Sequence, residues 1–253
     1  MLITIEGLVT KSMNIGDNNK LISVLTKDRG IIYAFINNCK KMDSKILAAS
    51  ELLSYCQFIL FKNKEKYTVN EAQVLKQFEG IRADIVKLAL GCYFIELVHE
   101  ISGEGQVSED YLRLILNSLY VLDSDKRDIL TVKAVTELKI VSIAGYMPNL
   151  VCCQKCLSTD FKDGVLFLMS GELICNKCRV QGETKGVLIS QGVLSAMRYI
   201  IYSDISKIYS FKLSQEDINL LSKIAQDYLL FKTELNLSKL KYFNKIMSFE
   251  NIR

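Results

Sequence analysis

Two closely spaced pairs of cysteines constrain this 253-residue chain more than any other feature. Two residues separate Cys153 from Cys156, two separate Cys175 from Cys178, and 18 residues lie between the pairs. Two intervening residues allow one backbone turn to direct two thiolates at one ion, and two such turns complete the tetrahedron of a structural zinc site. The spacing therefore predicts one bound Zn²⁺ that stabilises a ribbon-like knob and leaves no coordination position open for catalysis.

The alternative to a metal site is dithiol redox chemistry, in which a Cys-x2-Cys pair at the start of a helix exchanges with a substrate. The two pairs occur together and neither begins a convincing helical pattern, so the spacing favours zinc. Cys152 leaves a register question, because Cys152-x3-Cys156 is also possible, and symmetry with the second pair favours Cys153. Three cations beside the pairs either offset the negative charge of four thiolates or stay solvated: Lys155, Lys177 and Arg179.

Residues 1 to about 80 predict five short strands, because segments rich in β-branched and aromatic residues alternate with "GDNN", "KDRG" and "KNKE". The segment "CKKMDSKILAASE", between the third and fourth strands, is polar and basic and includes a possible short helix. A helix at that point of a five-stranded Greek-key barrel describes the OB-fold. Another small β-barrel with a similar number of strands remains the alternative.

The hydrophobic period changes to three and four residues after Gly80, which predicts helices. The first, from Ile81 onward, is apolar nearly all round and is expected to be central. A second is expected after Ser108, and a third from about Lys126 to Ala144 with Gly145 as its stop. The predicted fold is therefore multidomain, with an OB-fold at 1–80 and an all-α domain at 81–253 that carries the zinc insertion at about 149–187.

Catalytic motifs are not found in the sequence. The single histidine, His99, lies between Glu96 and Glu100 with no nucleophile that can be paired with it, and no phosphate-binding glycine loop or H-E-x2-H motif occurs. We therefore expect a binding protein and not an enzyme. The N-terminal segment lacks a signal peptide pattern, and no apolar run reaches the length of a membrane span, so a cytoplasmic location without membrane contact is expected.

Basic residues within the predicted barrel indicate a nucleic-acid surface. Both ends of the chain are mildly basic, whereas residues 81–147 are net acidic. Cations and an interleaved aromatic residue near the strand ends are the candidate DNA contacts: Lys27, Arg29, Tyr33, Lys40, Lys41 and Lys45. The alternative is that these lysines are solvated and the aromatic residues fill the barrel. Near the C-terminus, the lysines of "FKTELNLSKLKYFNKIM" are either a second phosphate-contacting surface or, as the pattern favours, the solvated side of a helix.

Local sequences along nearly the whole chain resemble the RecO family of bacterial DNA repair and recombination mediators. "GDNNKLISVLTKDRG" resembles the family's segment around the second strand, and "KKMDS" falls where the family carries a basic loop. "GYMPNLVCCQKC" and "GELICNKC" resemble its two cysteine knuckles, which supports Cys153 as the first ligand, and "LSKLKYF" resembles its closing segment. The sequence "NNC" before the basic loop departs from the small residue or Gly usual in the family.

The resemblance implies a nucleoid-associated mediator that binds single- and double-stranded DNA and anneals complementary strands. It also implies partners: RecR, the C-terminal tail of single-strand-binding protein (SSB), and indirectly RecA, which is loaded on SSB-coated DNA. Basic residues of the helical domain, such as Arg127 or Lys133, are the expected contacts for the acidic tail. A zinc-ribbon interaction or transcription-associated module without annealing activity is the alternative function, and a thiol oxidoreductase is the third.

Overall fold

The N-terminal part of the chain forms a closed five-stranded barrel. The computed structural model describes residues 1–38, 44–64, 66–102, 109–180 and 186–250. The barrel consists of β1 Leu2–Ile15, β2 Asn19–Thr26, β3 Gly30–Ile36, β4 Tyr55–Asn63 and β5 Lys66–Lys76, hydrogen-bonded in the order β1-β2-β3-β5-β4. A short helix, α1 (Ser44–Ala49), follows β3. The strand order and the position of α1 confirm the predicted OB-fold.

The barrel closes through two different pairings. β1 pairs antiparallel with both β2 and β4, and its register on β2 shifts between Val9 and Lys11. β3 and β5 meet in parallel over a short stretch in which Ala34 lies opposite Tyr67. The interior is filled by apolar side chains that are almost completely buried, including Val9, Ile22, Val24, Ala34, Ile36, Cys56, Phe58 and Leu60. Burial of this surface is the main driving force for barrel formation.

Gly7 is required by the close approach of β1 to β2. A Cβ atom at this position would lie 2.4 Å from Val24 Cγ1 and 2.6 Å from the Leu25 carbonyl oxygen. Because the second atom belongs to the backbone, it cannot move aside without disturbing the strand pairing. Glycine is therefore the residue that fits where β1 approaches β2 most closely.

Seven further helices follow the barrel: α2 Glu79–Arg82, α3 Ile85–Ser102, α4 Glu109–Asp123, α5 Ile129–Ile143, α6 Gln191–Tyr202, α7 Gln215–Thr233 and α8 Ser238–Glu250. Within the described ranges, no helix combines the length and the apolar character needed to cross a bilayer. The third predicted helix begins later than expected, because the Asp128 side chain accepts hydrogen bonds from the backbone N–H groups of Leu130 and Thr131 as its N-cap. Ser108 lies outside the described residues.

The chain forms two compact units, residues 1–123 together with α8, and residues 124–237. These units do not coincide with the predicted modules 1–80 and 81–253, which remain a prediction. In the first unit α3 packs against α2, α4 and α8. The Glu96 carboxylate on α3 accepts hydrogen bonds from the backbone N–H groups of Ser238 and Lys239 at 3.1 and 2.8 Å, which joins α3 to the first turn of α8.

The second unit is built around α5, which packs against α6 and α7. Two of its lysines are buried. Lys133 Nζ lies 2.9 Å from the Glu137 carboxylate, with both side chains almost inaccessible to solvent. Lys139 Nζ donates to the carbonyl oxygens of Ile201 and Ser203 at 2.9 and 2.7 Å, and so stabilises the C-terminal end of α6.

The burial of Lys133 corrects the expectation that this residue is a contact for an acidic partner. Its side chain is 2% exposed, and its ammonium group is held by a carboxylate one helical turn away. Arg127, the other residue expected in that role, is half-buried in the segment before α5. The burial of α5 within the second unit distinguishes the two residues, because Lys133 lies within this helix and Arg127 precedes it.

Replacement of Lys133 by Met is expected to destabilise the second unit by about 3 to 5 kcal/mol, because it leaves the Glu137 carboxylate buried without its cation. The double variant Lys133→Met/Glu137→Leu is expected to recover most of this loss, since an apolar pair of similar volume needs no compensating charge. Urea unfolding followed by circular dichroism measures both values. Equal destabilisation in the single and double variants would contradict the ion-pair explanation.

Candidate metal centre and candidate nucleic-acid surface

A small antiparallel sheet carries the cysteines. Its strands are β6 Gly164–Phe167, β7 Glu172–Cys175 and β8 Val187–Ile189, in the order β7-β6-β8. Gly164 is required opposite Cys175, because a Cβ atom there would lie 2.4 Å from the carbonyl oxygen of Ile174. The second cysteine pair begins at the last residue of β7 and continues into a short 3-10 turn, Asn176–Cys178. The knob expected at about 149–187 is therefore a three-stranded ribbon within the second unit.

All four predicted ligands meet at one point. The sulfur atoms of Cys153, Cys156, Cys175 and Cys178 lie within 4.8 Å of one another, and those of Cys156 and Cys175 are 3.8 Å apart. Cys152, its neighbour in the sequence, does not belong to this group. Four thiols at such distances form a donor set that can hold a metal ion in closed tetrahedral coordination.

The pKa values of two of these thiols, Cys153 and Cys178, are shifted in opposite directions. Burial raises the pKa of Cys153, but the backbone N–H groups of Cys175, Cys156 and Lys155 favour the thiolate and lower this pKa to about 6. The Cys178 thiol donates hydrogen bonds to the sulfur atoms of Cys156 and Cys175, which favours its protonated form and raises its pKa to about 12. Four adjacent thiols cannot all ionise unless a cation balances their charge, and a bound metal ion would supply it.

The surroundings of the cluster hold its geometry. Cys153 and Cys175 are buried together with Ile174, and Phe161 and Phe167 pack against them. The guanidinium of Arg198 on α6 lies 5.3 Å from the centre of the Phe161 ring and donates to the carbonyl oxygen of Leu150 at 2.7 Å. This residue fixes the start of the knob to α6. Sequence reasoning missed Arg198, because a single arginine within an amphipathic helix carries no local signal.

The cations beside the cysteines lie at the edge of the knob. Lys155 Nζ donates to the carbonyl oxygen of Cys178 at 3.4 Å, which links the two knuckles. Lys177 and Arg179 are exposed. All three cations are therefore exposed, and Lys155 is also hydrogen-bonded across the cluster.

Two of the predicted DNA contacts, Lys27 and Arg29, lie in the turn between β2 and β3. Both line a cleft of about 390 Å³ in the first unit, together with Tyr55, Leu112 and Arg113. Lys27 Nζ lies 3.1 Å from the Glu109 carboxylate, and both side chains are about half exposed. The charge of Lys27 is therefore partly balanced within the protein, which weakens it as a phosphate contact.

The other predicted DNA contacts are separated from this cleft. Tyr33 on β3 is 38% exposed, so its ring does not fill the barrel. Lys45 is exposed at the start of α1 and lines a different cleft, which α1 forms with β5. Lys40 and Lys41 lie outside the described residues. The structure therefore brings together Lys27 and Arg29 but does not join them to Lys45 or Tyr33 in one groove.

The hairpin between β4 and β5 carries a basic and aromatic group that sequence reasoning missed. Lys62 Nζ lies 5.6 Å from the centre of the Tyr67 ring, and Phe61 is 48% exposed beside it. Lys64 and Lys66 are exposed at the tip of the hairpin. The signal is present in "FKNKEKY", where lysines alternate with other residues between two aromatic ones, but the same segment is also typical of a break between strands.

His99, on α3, contacts the barrel. Its Nε2 lies 2.7 Å from Thr10 Oγ1 on β1. Thr10 Oγ1 also lies 3.3 Å from the carbonyl oxygen of Ser23 on β2, so this hydroxyl interacts with both α3 and the neighbouring strand. The hydrogen bond ties α3 to β1 at the point where the register of β1 shifts.

Comparison with known proteins agrees with this architecture. Residues 1–78 match the family model "Recombination protein O N terminal", and residues 82–241 match "Recombination protein O C terminal". The chain is 32% identical to DNA repair protein RecO of Acetivibrio thermocellus, over 95% of this chain and 96% of that protein. It is 30% identical to DNA repair protein RecO of Caldicellulosiruptor bescii, over 97% and 99% of the two chains. The chain therefore belongs to the RecO family of DNA repair proteins.

Proposed function

We propose that this protein is a non-enzymatic, cytoplasmic recombination mediator that binds single- and double-stranded DNA and anneals complementary strands. The observation that carries the proposal is the OB-fold in a chain of the RecO family. With RecR, the protein assists the loading of RecA on DNA covered by SSB, whose acidic tail it contacts. Arg127 remains a candidate contact for that tail. Because Arg127 is half-buried, the tail would reach it only from the exposed side.

The lysines of the barrel support a mechanism based on charge. Annealing requires that the repulsion between two phosphate backbones be lowered without reading bases, and cations on exposed turns can do this for either strand. Lys64 and Lys66 at the tip of one hairpin and Arg29 in the turn between β2 and β3 are such cations. Exposed aromatic side chains, here Tyr33 and Phe61, supply stacking that does not depend on sequence.

Zinc is the metal we propose for the four-cysteine cluster. Four thiolates without a carboxylate or water are the donor set of structural zinc sites, and they leave no position for substrate. The ion would join the two knuckles of a knob whose three strands contain only four, four and three residues. A sheet of this size buries too little apolar surface to be stable alone. The metal ion is therefore expected to stabilise it.

The second candidate function is a protein-interaction module without annealing activity. Apolar side chains on the knob favour it, because Leu157 is 71% exposed and Met169 is 79% exposed. Exposed apolar side chains mark a contact surface for another protein when they form a contiguous patch. The two candidates differ in a measurable activity, since only the mediator accelerates strand pairing.

The purified protein is expected to accelerate annealing of two complementary fluorescent oligonucleotides, both bare and coated with SSB. The acceleration should decrease as salt is raised, because it depends on displaced counterions. Fluorescence energy transfer between the strands over a potassium chloride series measures both effects. Zinc binding without any acceleration would favour the interaction module.

Replacing Lys64 and Lys66 by Ala is expected to lower the slope of log affinity against log salt for single-stranded DNA by about 1.4, since each phosphate contact contributes about 0.7. Fluorescence anisotropy with an oligothymidylate measures the slope. Lys27→Ala is the matched control within the barrel, and a smaller change is expected because Lys27 is already paired with Glu109. A slope that does not change in the double variant would remove the hairpin from the DNA surface.

One zinc ion per chain is expected by elemental analysis, and Cys156→Ser should lose it because three thiolates hold the ion far more weakly than four. The variant should also unfold at a lower temperature, since metal binding contributes to folding. Cys152→Ser is the matched control and should keep both the ion and the stability of the parent. Wild-type protein that lacks zinc and has one strongly reactive thiol would instead favour the thiol oxidoreductase.

A further inference from the structure

The last helix, α8, presents a basic and aromatic face to solvent. Leu240 and Phe243 are buried on one side of α8, which packs against α3. The exposed residues Lys241, Tyr242, Lys245 and Phe249 lie on the opposite side, because their spacings of three, four and seven residues place them on one face of a helix. Tyr242 is 51% exposed and Phe249 is 60% exposed, although both are large apolar rings.

The charge of this face has one sign. The sequence of α8, SKLKYFNKIMSFE, contains three lysines and a single carboxylate, at its last residue. Glu96 on α3 lies beside the first turn of α8. Its two carboxylate oxygens accept hydrogen bonds from the N–H groups of Ser238 and Lys239. Its negative charge therefore interacts with the positive end of α8.

The first turn of α8 lies beside the barrel. Lys239, in this turn, and Lys11, on β1, line one cleft of about 390 Å³ together with Glu96 and Glu100. Both lysines belong to the first compact unit, which also contains the whole barrel. Because this cleft holds carboxylates as well as cations, the lysines of the exposed face are the residues of α8 that carry the argument.

The alternation of cations and rings matches a nucleic acid strand better than an acidic peptide. Along the helix axis, Lys241 and Lys245 are about 6 Å apart, and Tyr242 and Phe249 are about 10 Å apart. Each nucleotide offers one phosphate and one aromatic base, so a single strand uses both kinds of side chain. An acidic peptide would use the lysines but would leave the two rings in water.

We propose that the exposed face of α8 is a second binding surface for single-stranded DNA. This inference rests on the proposed function, because it extends a DNA surface that begins on the barrel. Lys241 and Lys245 contact phosphates, and Tyr242 and Phe249 each stack on a base. The site occupied on a single strand is then longer than the roughly 4 to 16 nucleotides that one OB-fold covers.

The test uses the full-length protein and an oligothymidylate of about 30 nucleotides, about twice the largest site of one OB-fold. Lys241→Ala/Lys245→Ala is expected to lower the salt slope of binding by about 1.4 relative to the parent. Lys212→Ala/Lys223→Ala, which removes two exposed lysines of the second unit, is the matched control and should leave the slope unchanged. Thermal unfolding of each variant confirms that the buried contacts of Leu240 and Phe243 are retained.

Stacking is tested separately from charge. Tyr242→Ala is expected to weaken binding about 5-fold or more, whereas Tyr242→Phe should bind as the parent does, because the ring and not the hydroxyl stacks on the base. If Tyr242 had a purely structural role, Tyr242→Ala would unfold at a lower temperature than Tyr242→Phe. Equal unfolding temperatures together with weaker DNA binding by Tyr242→Ala therefore indicate stacking.

The outcomes separate this proposal from the proposed function. If the parent protein does not bind the oligonucleotide, both fail. If the parent binds but the α8 variants keep its slope and affinity, the inference about α8 is wrong and the proposed function stands. If the α8 variants lose binding only to a polyglutamate peptide, the face recognises an acidic protein, and the inference is overturned in favour of that partner.

Discussion

Closure of the five-stranded barrel is the constraint on which the first compact unit depends. A sheet edge left open exposes rows of N–H and C=O groups that need partners, and closure pairs the edge strands with each other. Here β1 takes part twice, because its 14 residues pair with β4 in one part and with β2 over much of its length. This double role explains why a side chain is excluded at Gly7 and why the register shifts beyond Val9.

The closed barrel also decides which residues can meet a ligand. Alternation along the strands directs apolar side chains inward, so cations collect in turns and on exposed helix faces. The lysines at the tip of the β4–β5 hairpin and Arg29 in the turn before β3 are examples. On α8 the same separation occurs by helical period, with Leu240 and Phe243 buried and Lys241 and Lys245 exposed.

The second unit depends on a different interaction, because its central helix, α5, contains buried charged side chains that need partners. Lys133 is balanced by Glu137 within α5, and Lys139 is balanced by carbonyl groups at the end of α6. The knob in this unit has only a small apolar cluster, and it brings four sulfur atoms to one point where a metal ion can bind. Arg198 joins the two parts by holding the carbonyl oxygen of Leu150 against α6.

Much of the architecture could be predicted from the sequence, because strand and helix periods and the Cys-x2-Cys spacing are local signals. They predicted the five strands of the barrel, most of the helices and all four cysteines of the cluster. The start of α7 is an example of such a local signal, because the Ser214 side chain accepts a hydrogen bond from the Asp217 N–H as the N-cap of this helix. The start of α5 was misplaced, because the residues before Asp128 are equally compatible with a first helical turn.

Only the tertiary structure decided how each charged residue is used. Lys133 is buried in an ion pair, Lys27 is half exposed beside Glu109, and Lys64 is exposed on a hairpin. The spacing of four residues between Lys133 and Glu137 is visible in the sequence, but the burial of this pair is not, and Glu109 is distant from Lys27 in the sequence. The sequence by itself determined which elements form and where a metal can bind. The availability of a cation for DNA was decided by packing, because desolvation and pairing depend on neighbours that only the fold brings together.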